Sequence, residues 1–237
     1  VLDYQAVMRY ASEHPNKGSY AVSSALEIPR GRIRPWIDSE SKPDAVRALE
    51  TAANYGWLEA TYGDREFVAL NTLVANIFSG GAIATENYRP SFALNFNGED
   101  SHVVDALDAT GIEYKFTHRD DDDRATEVRP SEDGPVLGRV LAVLGAPVGP
   151  KADIDSISLP WYLEDAPSET RKMFVLAYVT NRTLHQQNKR TVTIQEQRPQ
   201  SYRDELAALI EDVAGEQVTS GKQSVTISVD ATRSLGI

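Results

Sequence analysis

Residues 67–79 read FVALNTLVANIFS. Apolar side chains fall on nearly every side of a helical projection of this run. It therefore predicts a helix buried all round, with no broad solvent face. Gly80-Gly81 stops it. Working outward, Ala82–Thr85 and Ser91–Asn97 flank ENYRP and read as the arms of a hairpin. Glu99–Thr110 is an amphipathic helix closed by Gly111. Ile112–Arg119 alternates as a strand, with Ala125–Arg129 as its pairing partner. A helix over Pro135–Leu144 ends at Gly145.

The same order begins again at Ser168. Glu169–Thr180, centred on MFVLAYV, is a second mostly apolar helix. Thr191–Gln197, TVTIQEQ, is a strand expected to pair with residues near Thr183–His185. Tyr202–Ala214 is an amphipathic helix closed by Gly215. Glu216–Thr219 and Ser224–Asp230 form a closing hairpin around Ser220-Gly221-Lys222. A chain that runs helix, hairpin, helix, hairpin twice points to internal duplication. Such duplicates pack as a pseudo-twofold pair, here with the two apolar helices at the axis. The expected class is α+β, with a helical module at 1–60 and repeats at 61–150 and 151–237.

The strands share one pattern. Phe92, Leu94 and Phe96 alternate with Ser91, Asn95 and Asn97. Val192 and Ile194 alternate with Thr191, Thr193, Gln195 and Gln197, and Val225, Ile227 and Val229 with Ser224, Thr226 and Ser228. One face of each sheet is thus apolar. The other is short, polar and mostly uncharged, with Lys115, Arg119, Lys189 and Arg190 nearby. Taken alone, that face fits a solvated surface as well as a binding surface.

Ahead of the duplicated part, Tyr4–His14 places Val7, Met8, Tyr10 and Ala11 at helical spacing, and Pro15, Asn16 and Gly18 break it. Ser19–Leu26 follows, with Ser19 as a candidate cap and Val22, Ala25 and Leu26 facing inward. After a tight Glu27-Ile28-Pro29 turn comes RGRIRPWI, where Ile33 and Trp36 (or Ile37) can pack inward while Arg30, Arg32 and Arg34 project outward. Two short helices joined by a tight turn, the second carrying arginines, form the helix-turn-helix pattern. Arginine can bond phosphates or pair with guanine edges. The competing reading is a small helical cap with solvated arginines. Pro35 implies a recognition helix that is short or bent. A helix over Pro43–Tyr55 ends at Gly56, with Trp57-Leu58 as the buried closing element of the module.

Composition narrows the classes. There is no cysteine, which removes disulfides and thiolate chemistry. No apolar run approaches the ~20 residues of a membrane span, and VLDYQAVMRY lacks a secretory pattern. A cytoplasmic protein without a membrane partner is expected. The net charge is −11, with arginine in excess over lysine. This balance resembles that of halophilic, salt-in archaeal proteins, and equally an ordinary acidic cytosolic protein. Up to Arg65 the charges nearly cancel, so the acidity lies in the remainder.

From Val136 the chain reads VLGRVLAVLGAPVGPKADIDSISLPWYLEDAPSETRKMFVLAYV. With the repeated order of elements over about Phe67–Asp230, this resembles the LAGLIDADG homing endonuclease family. There a helix ends in a Gly-Ala-Pro-type turn, followed by a Gly-x-Lys element and a Leu-Pro-Trp entry into the second motif helix. The resemblance implies an αββαββ(α) saddle whose concave sheet face lies in the DNA major groove. Asn95, Asn97, Lys115, Arg119, Lys189, Arg190, Thr191, Thr193, Gln195 and Gln197 would then meet DNA, where Asn and Gln can read adenine edges. Ala75 and Ala177 fall at the family's small-residue positions. In the family each motif helix ends in a carboxylate that holds divalent ions beside the scissile phosphate. Here those positions read Gly80 and Arg182. Neither residue ligates Mg²⁺, so the resemblance implies binding without cutting, with no cofactor and no metal.

Other motifs carry little. Asp120–Asp123 lacks the glycine and spaced acids of a calcium loop. His14, His102, His118 and His185 have no zinc-site spacing. No serine stands in a nucleophile elbow, and Gly80-Gly81 lacks a phosphate-loop lysine. Arg182 fits a phosphate contact or a solvated helix end. The expected function is sequence-specific binding of double-stranded DNA, as a transcription regulator acting as a pseudo-twofold monomer. An active endonuclease, an RNA-splicing cofactor and a protein-interaction adaptor are the alternatives.

Overall fold

A computed structural model of the chain describes residues 1–94, 101–118, 126–151, 157–182 and 191–237. The first 54 residues form one compact unit of four helices, α1 (Leu2–Glu13), α2 (Ser19–Leu26), α3 (Arg30–Asp38) and α4 (Asp44–Asn54). Val7, Val22, Ile33 and Trp36 form its core, with Tyr4, Tyr10, Leu26, Ile28 and Ile37 packed around them. The tight turn is closed by Glu27, whose φ of 55° ends α2, and Pro29 caps the start of α3. Nine residues long, α3 continues past Pro35 to Asp38. As the sixth of those nine residues, Pro35 removes one intrahelical bond and leaves the rest.

Three expectations for this unit are corrected. Gly18, and not Ser19, is the N-cap of α2. The Ser19 hydroxyl is buried and donates to Asp38 Oδ2 at 3.2 Å, joining α2 to the end of α3. Ala25 is exposed. Trp57 does not close the helical module. It lies in the second unit, Tyr55–Ile237, where its indole donates to the Thr110 carbonyl at 3.2 Å and stacks on Tyr55. Leu58 is exposed.

The second unit is α+β. Its first half contains α5 (Arg65–Ser79), β1 (Ala82–Ile83), β2 (Pro90–Ala93), α6 (His102–Thr110), β3 (Tyr114–Thr117), β4 (Glu127–Pro130) and α7 (Gly134–Val143). The second half contains α8 (Ser168–Arg182), β5 (Val192–Gln195), α9 (Gln200–Ala214), β6 (Val218–Ser220), β7 (Ser224–Ile227) and α10 (Val229–Leu235). Both sheets are antiparallel, ordered β1-β2-β4-β3 and β5-β7-β6 among the described residues. In each half the strand just before the second helix, β2 or β5, pairs with the last strand, β4 or β7, and that strand pairs with the one before it; β1 extends the first sheet beyond β2.

Burial explains α5. Phe67 and every residue from Ala69 to Ser79 are buried, as an all-round apolar helix requires. It lies against α8 in the same direction. Asn71 Nδ2 donates to the Thr170 carbonyl at 3.0 Å near one end, and Asn181 Nδ2 donates to Ser79 Oγ at 2.8 Å at the other. Ala75 is 0% exposed, and its small side chain suits a close helix approach. The helix α7 packs on the β1–β2 turn so closely that a Cβ on Gly138 would lie 1.7 Å from the Tyr88 carbonyl oxygen. Only glycine fits there.

The closing hairpin is shorter than expected. Its second strand stops at Ile227, and Ser228 caps α10 by accepting from the Ala231 amide at 3.1 Å. Val229 and Asp230 are therefore helical. The expected pairing of β5 with Thr183–His185 falls outside the described residues, as do Phe96 and Asp120–Asp123. Among the described residues no helix is long and apolar enough to cross a membrane.

Candidate nucleic-acid interface

The first candidate surface is the outer face of α3. With Ile33 and Trp36 turned into the core, Arg30, Arg32 and Arg34 are all exposed. Each has a local partner. Arg32 Nη1 lies 2.9 Å from Asp3 Oδ2, Arg34 Nε lies 3.4 Å from Asp38 Oδ2, and Arg30 Nε donates weakly to Ser19 Oγ at 3.5 Å. Exposed pairs of this kind contribute about 0–1 kcal/mol each, so a phosphate can displace them cheaply. The unit carries seven basic and seven acidic residues, in contrast to the acidic remainder.

The second surface is the outward face of the sheets. In the first sheet Lys115 stands opposite Arg129 and Thr117 opposite Glu127, while Arg129 Nη2 pairs with Glu127 Oε2 at 2.6 Å. In the second, Thr193, Thr226 and Thr219 form one row across three strands, and Gln195 stands opposite Ser224. Thr191, Thr193, Gln195 and Gln197 are all exposed. Asn95, Asn97, Arg119, Lys189 and Arg190 lie outside the described residues. The polar rows are therefore placed on one face of each sheet, with Val192, Ile194, Val225 and Ile227 turned the other way.

The third feature lies where α5 and α8 end side by side. Gly80 follows Ser79 and Arg182 follows Asn181, so the hydrogen-bonded Ser79–Asn181 pair stands just before both positions at which the family resemblance implies carboxylates. A Cβ on Gly80 would come within 2.9 Å of Asn181 Nδ2. Arg182 Nη2 pairs with Glu196 Oε2 at 3.1 Å. Glu196 continues the inward parity of Val192 and Ile194, and is only 2% exposed. It accepts from the Tyr178 hydroxyl at 2.7 Å, and Arg198 Nη1 lies 3.5 Å away. Arg198 also donates to the Phe78 carbonyl and to Tyr178 Oη at 3.3 Å. Lys151, from the Gly-x-Lys element, donates to the Ile77 and Gly81 carbonyls, each at 2.7 Å.

These contacts set the charge states. Burial pushes the Glu196 carboxyl up, but Arg198, the Tyr178 hydrogen bond and Arg182 outweigh it and hold it below the ordinary carboxylate range. Burial, followed by repulsion from Arg198 and Arg182, brings Lys151 down to about 7 against the opposing pull of Glu196. Burial and the Glu196 charge push Tyr178 up to about 12, so it remains a donor. Sequence reasoning missed Glu196, Arg198, Tyr178 and the Ser79–Asn181 pair. One signal was present: a glutamate at the inward-facing parity of TVTIQEQ requires a buried partner.

Among the described residues there is no group of three or more His, Asp or Glu placed to hold a metal ion. No protein-family model matches the chain, and no curated protein matches it.

Proposed function

We propose that the protein is a sequence-specific DNA-binding protein, a transcription regulator that joins a helix-turn-helix at 1–60 to a LAGLIDADG-like saddle without cleavage, with repeats at 61–150 and 151–237. The observation that carries this reading is α3. Directly after a tight turn from α2, it displays Arg30, Arg32 and Arg34 opposite the buried Ile33 and Trp36. That is the arrangement a recognition helix needs, with a fixed apolar underside and an outer face able to reach phosphates and guanine edges.

The saddle is supported by three further observations. The helices α5 and α8 run together and end at one place, β2-β4-β3 and β5-β7-β6 share a strand order, and the outward rows are Thr, Gln and Ser in the second sheet and Lys115, Arg129, Thr117 and Glu127 in the first. Glycine and arginine at Gly80 and Arg182 favour binding over cutting, because neither supplies a hard anionic ligand. A monomer with internal pseudo-twofold symmetry needs no second subunit to place two sheets on one duplex.

Binding of duplex DNA is expected to survive removal of every divalent ion. An electrophoretic shift on fragments of the host genome should be the same with excess EDTA as with Mg²⁺, and Mg²⁺ or Mn²⁺ should produce no cut strands. A shift that disappears on chelation, or metal-dependent cleavage, would favour an endonuclease. Preference for structured RNA over duplex would favour a splicing cofactor, and binding to neither would favour a protein-interaction adaptor.

A further inference from the structure

Within the second unit, α5, α6 and α8 enclose a groove of about 470 Å³. That size falls in the range of ~300–1,000 Å³ that holds drug-sized ligands. Each helix lines it with positions i, i+3, i+4 and i+7, running from Arg65 to Thr72, His102 to Ala109 and Met173 to Thr180. Such a stripe is one helix face, and at 1.5 Å of rise per residue it makes the groove about 10 Å long. The space exists because Ala69, Ala106, Ala109 and Ala177 stand where the three helices face one another, and their short side chains leave the gap unfilled.

The walls are aliphatic. Val68, Met173 and Leu176 supply the larger side chains, and among the described residues no Phe, Tyr or Trp lines the groove. The Thr72 hydroxyl is spent on the Val68 carbonyl at 3.0 Å. Burial lowers the His102 pKa against the opposing pull of Asp105, so the imidazole is uncharged at neutral pH. The two charged groups, Arg65 and Asp105, are exposed and mark the mouth. Among the described residues neither side chain has an ion-pair or hydrogen-bond partner. Their helices treat them differently. Asp105 stands in the first turn of α6, where the helix dipole favours an anion, whereas Arg65 is the first residue of α5, where the dipole disfavours a cation. The uncompensated charge at the mouth is therefore positive.

We propose that this groove binds a medium-chain aliphatic carboxylate, with its chain against α5, α6 and α8 and its carboxylate at Arg65. The chain leaves water for an aliphatic surface, and the head group meets both a guanidinium and the positive end of α5. The site does not depend on the function proposed above.

Octanoate is the probe, with octanol as its uncharged counterpart. The chain has two methionines, Met8 in the first unit and Met173 in the groove, so methyl NMR of the full chain carries its own control. Octanoate should move the Met173 methyl signal saturably and leave that of Met8 in place. In low salt octanol should bind about fivefold more weakly, a difference that shrinks as salt is raised. Hexanoate, shorter by two CH₂ groups, should bind about tenfold more weakly than octanoate. R65Q should remove the preference for octanoate over octanol, and D105N should increase it about twofold. A109F fills the groove and should abolish both titrations with the circular dichroism unchanged. Should A109F fail to fold, R65Q and D105N still decide, because both change exposed side chains. No saturable Met173 shift, or an equal shift of Met8, overturns the site. Equal affinity for octanoate and octanol that R65Q leaves unchanged overturns the carboxylate. A Met173 signal that moves with protein concentration and not with octanoate overturns the proposal in favour of a second copy of the chain.

Discussion

Replacing Glu196 with glutamine is expected to destabilise the second unit by about 3–5 kcal/mol at neutral pH, the cost of leaving buried charges without their partner. The amide preserves the shape of the side chain but removes the carboxylate that, among the described residues, stands between Arg182, Arg198 and Tyr178. It also turns one acceptor into a donor that faces donors. The effect should depend on pH in a defined direction. Burial raises the Glu196 pKa, but Arg198, Tyr178 and Arg182 together bring the folded-state value below the ordinary value of 4.5. Its stabilisation is therefore fully present above about 4.5 and is lost as pH falls through the lower, folded-state value. Urea unfolding of both proteins at pH 7 and at successively lower pH measures this. The gap between them should narrow as the solution becomes acid. Equal unfolding free energies at pH 7 would mean that the cluster is not held as described.

The second large effect is on DNA. Changing Arg30, Arg32 and Arg34 together to alanine should reduce affinity for the preferred duplex by roughly a hundredfold or more, since each base or phosphate contact is worth about 1–3 kcal/mol. The dependence of log affinity on log salt should also become shallower, by about one for each phosphate contact removed. The fold should survive. Ile33 and Trp36 remain in the core, and the lost pairs with Asp3 and Asp38 are exposed ones worth about 0–1 kcal/mol each. Circular dichroism of the variant beside a fluorescence titration at several salt concentrations distinguishes loss of contacts from loss of structure. Unchanged affinity and selectivity would remove α3 from the interface.

Periodicity made the helices legible. An all-round apolar run can only be a buried helix, and α5 is buried from Ala69 to Ser79; Ile33 and Trp36, three residues apart, fixed the inner face of α3. Strand alternation placed Thr193 and Gln195 outward and Ile194 inward. Boundaries and partners were less legible, because they depend on contacts distant in sequence. Trp57 reads as the end of the helical module until its indole finds the Thr110 carbonyl 53 residues later. Ser228 continues the alternation of its strand, yet its hydroxyl can also cap a helix, and capping prevailed. The charge cluster was hidden for the same reason. Lys151, Tyr178, Arg182, Glu196 and Arg198 come from three separate parts of the chain, and only the inward parity of Glu196 hinted that they meet.

The most direct test of the account is recovery of DNA from fragmented host genome by the full chain in EDTA, followed by sequencing. The account predicts enrichment of a shared sequence by the native protein and its loss in the Arg30, Arg32 and Arg34 triple variant. Recovery of no DNA, or of fragments with no common sequence that the triple variant recovers equally well, would contradict it.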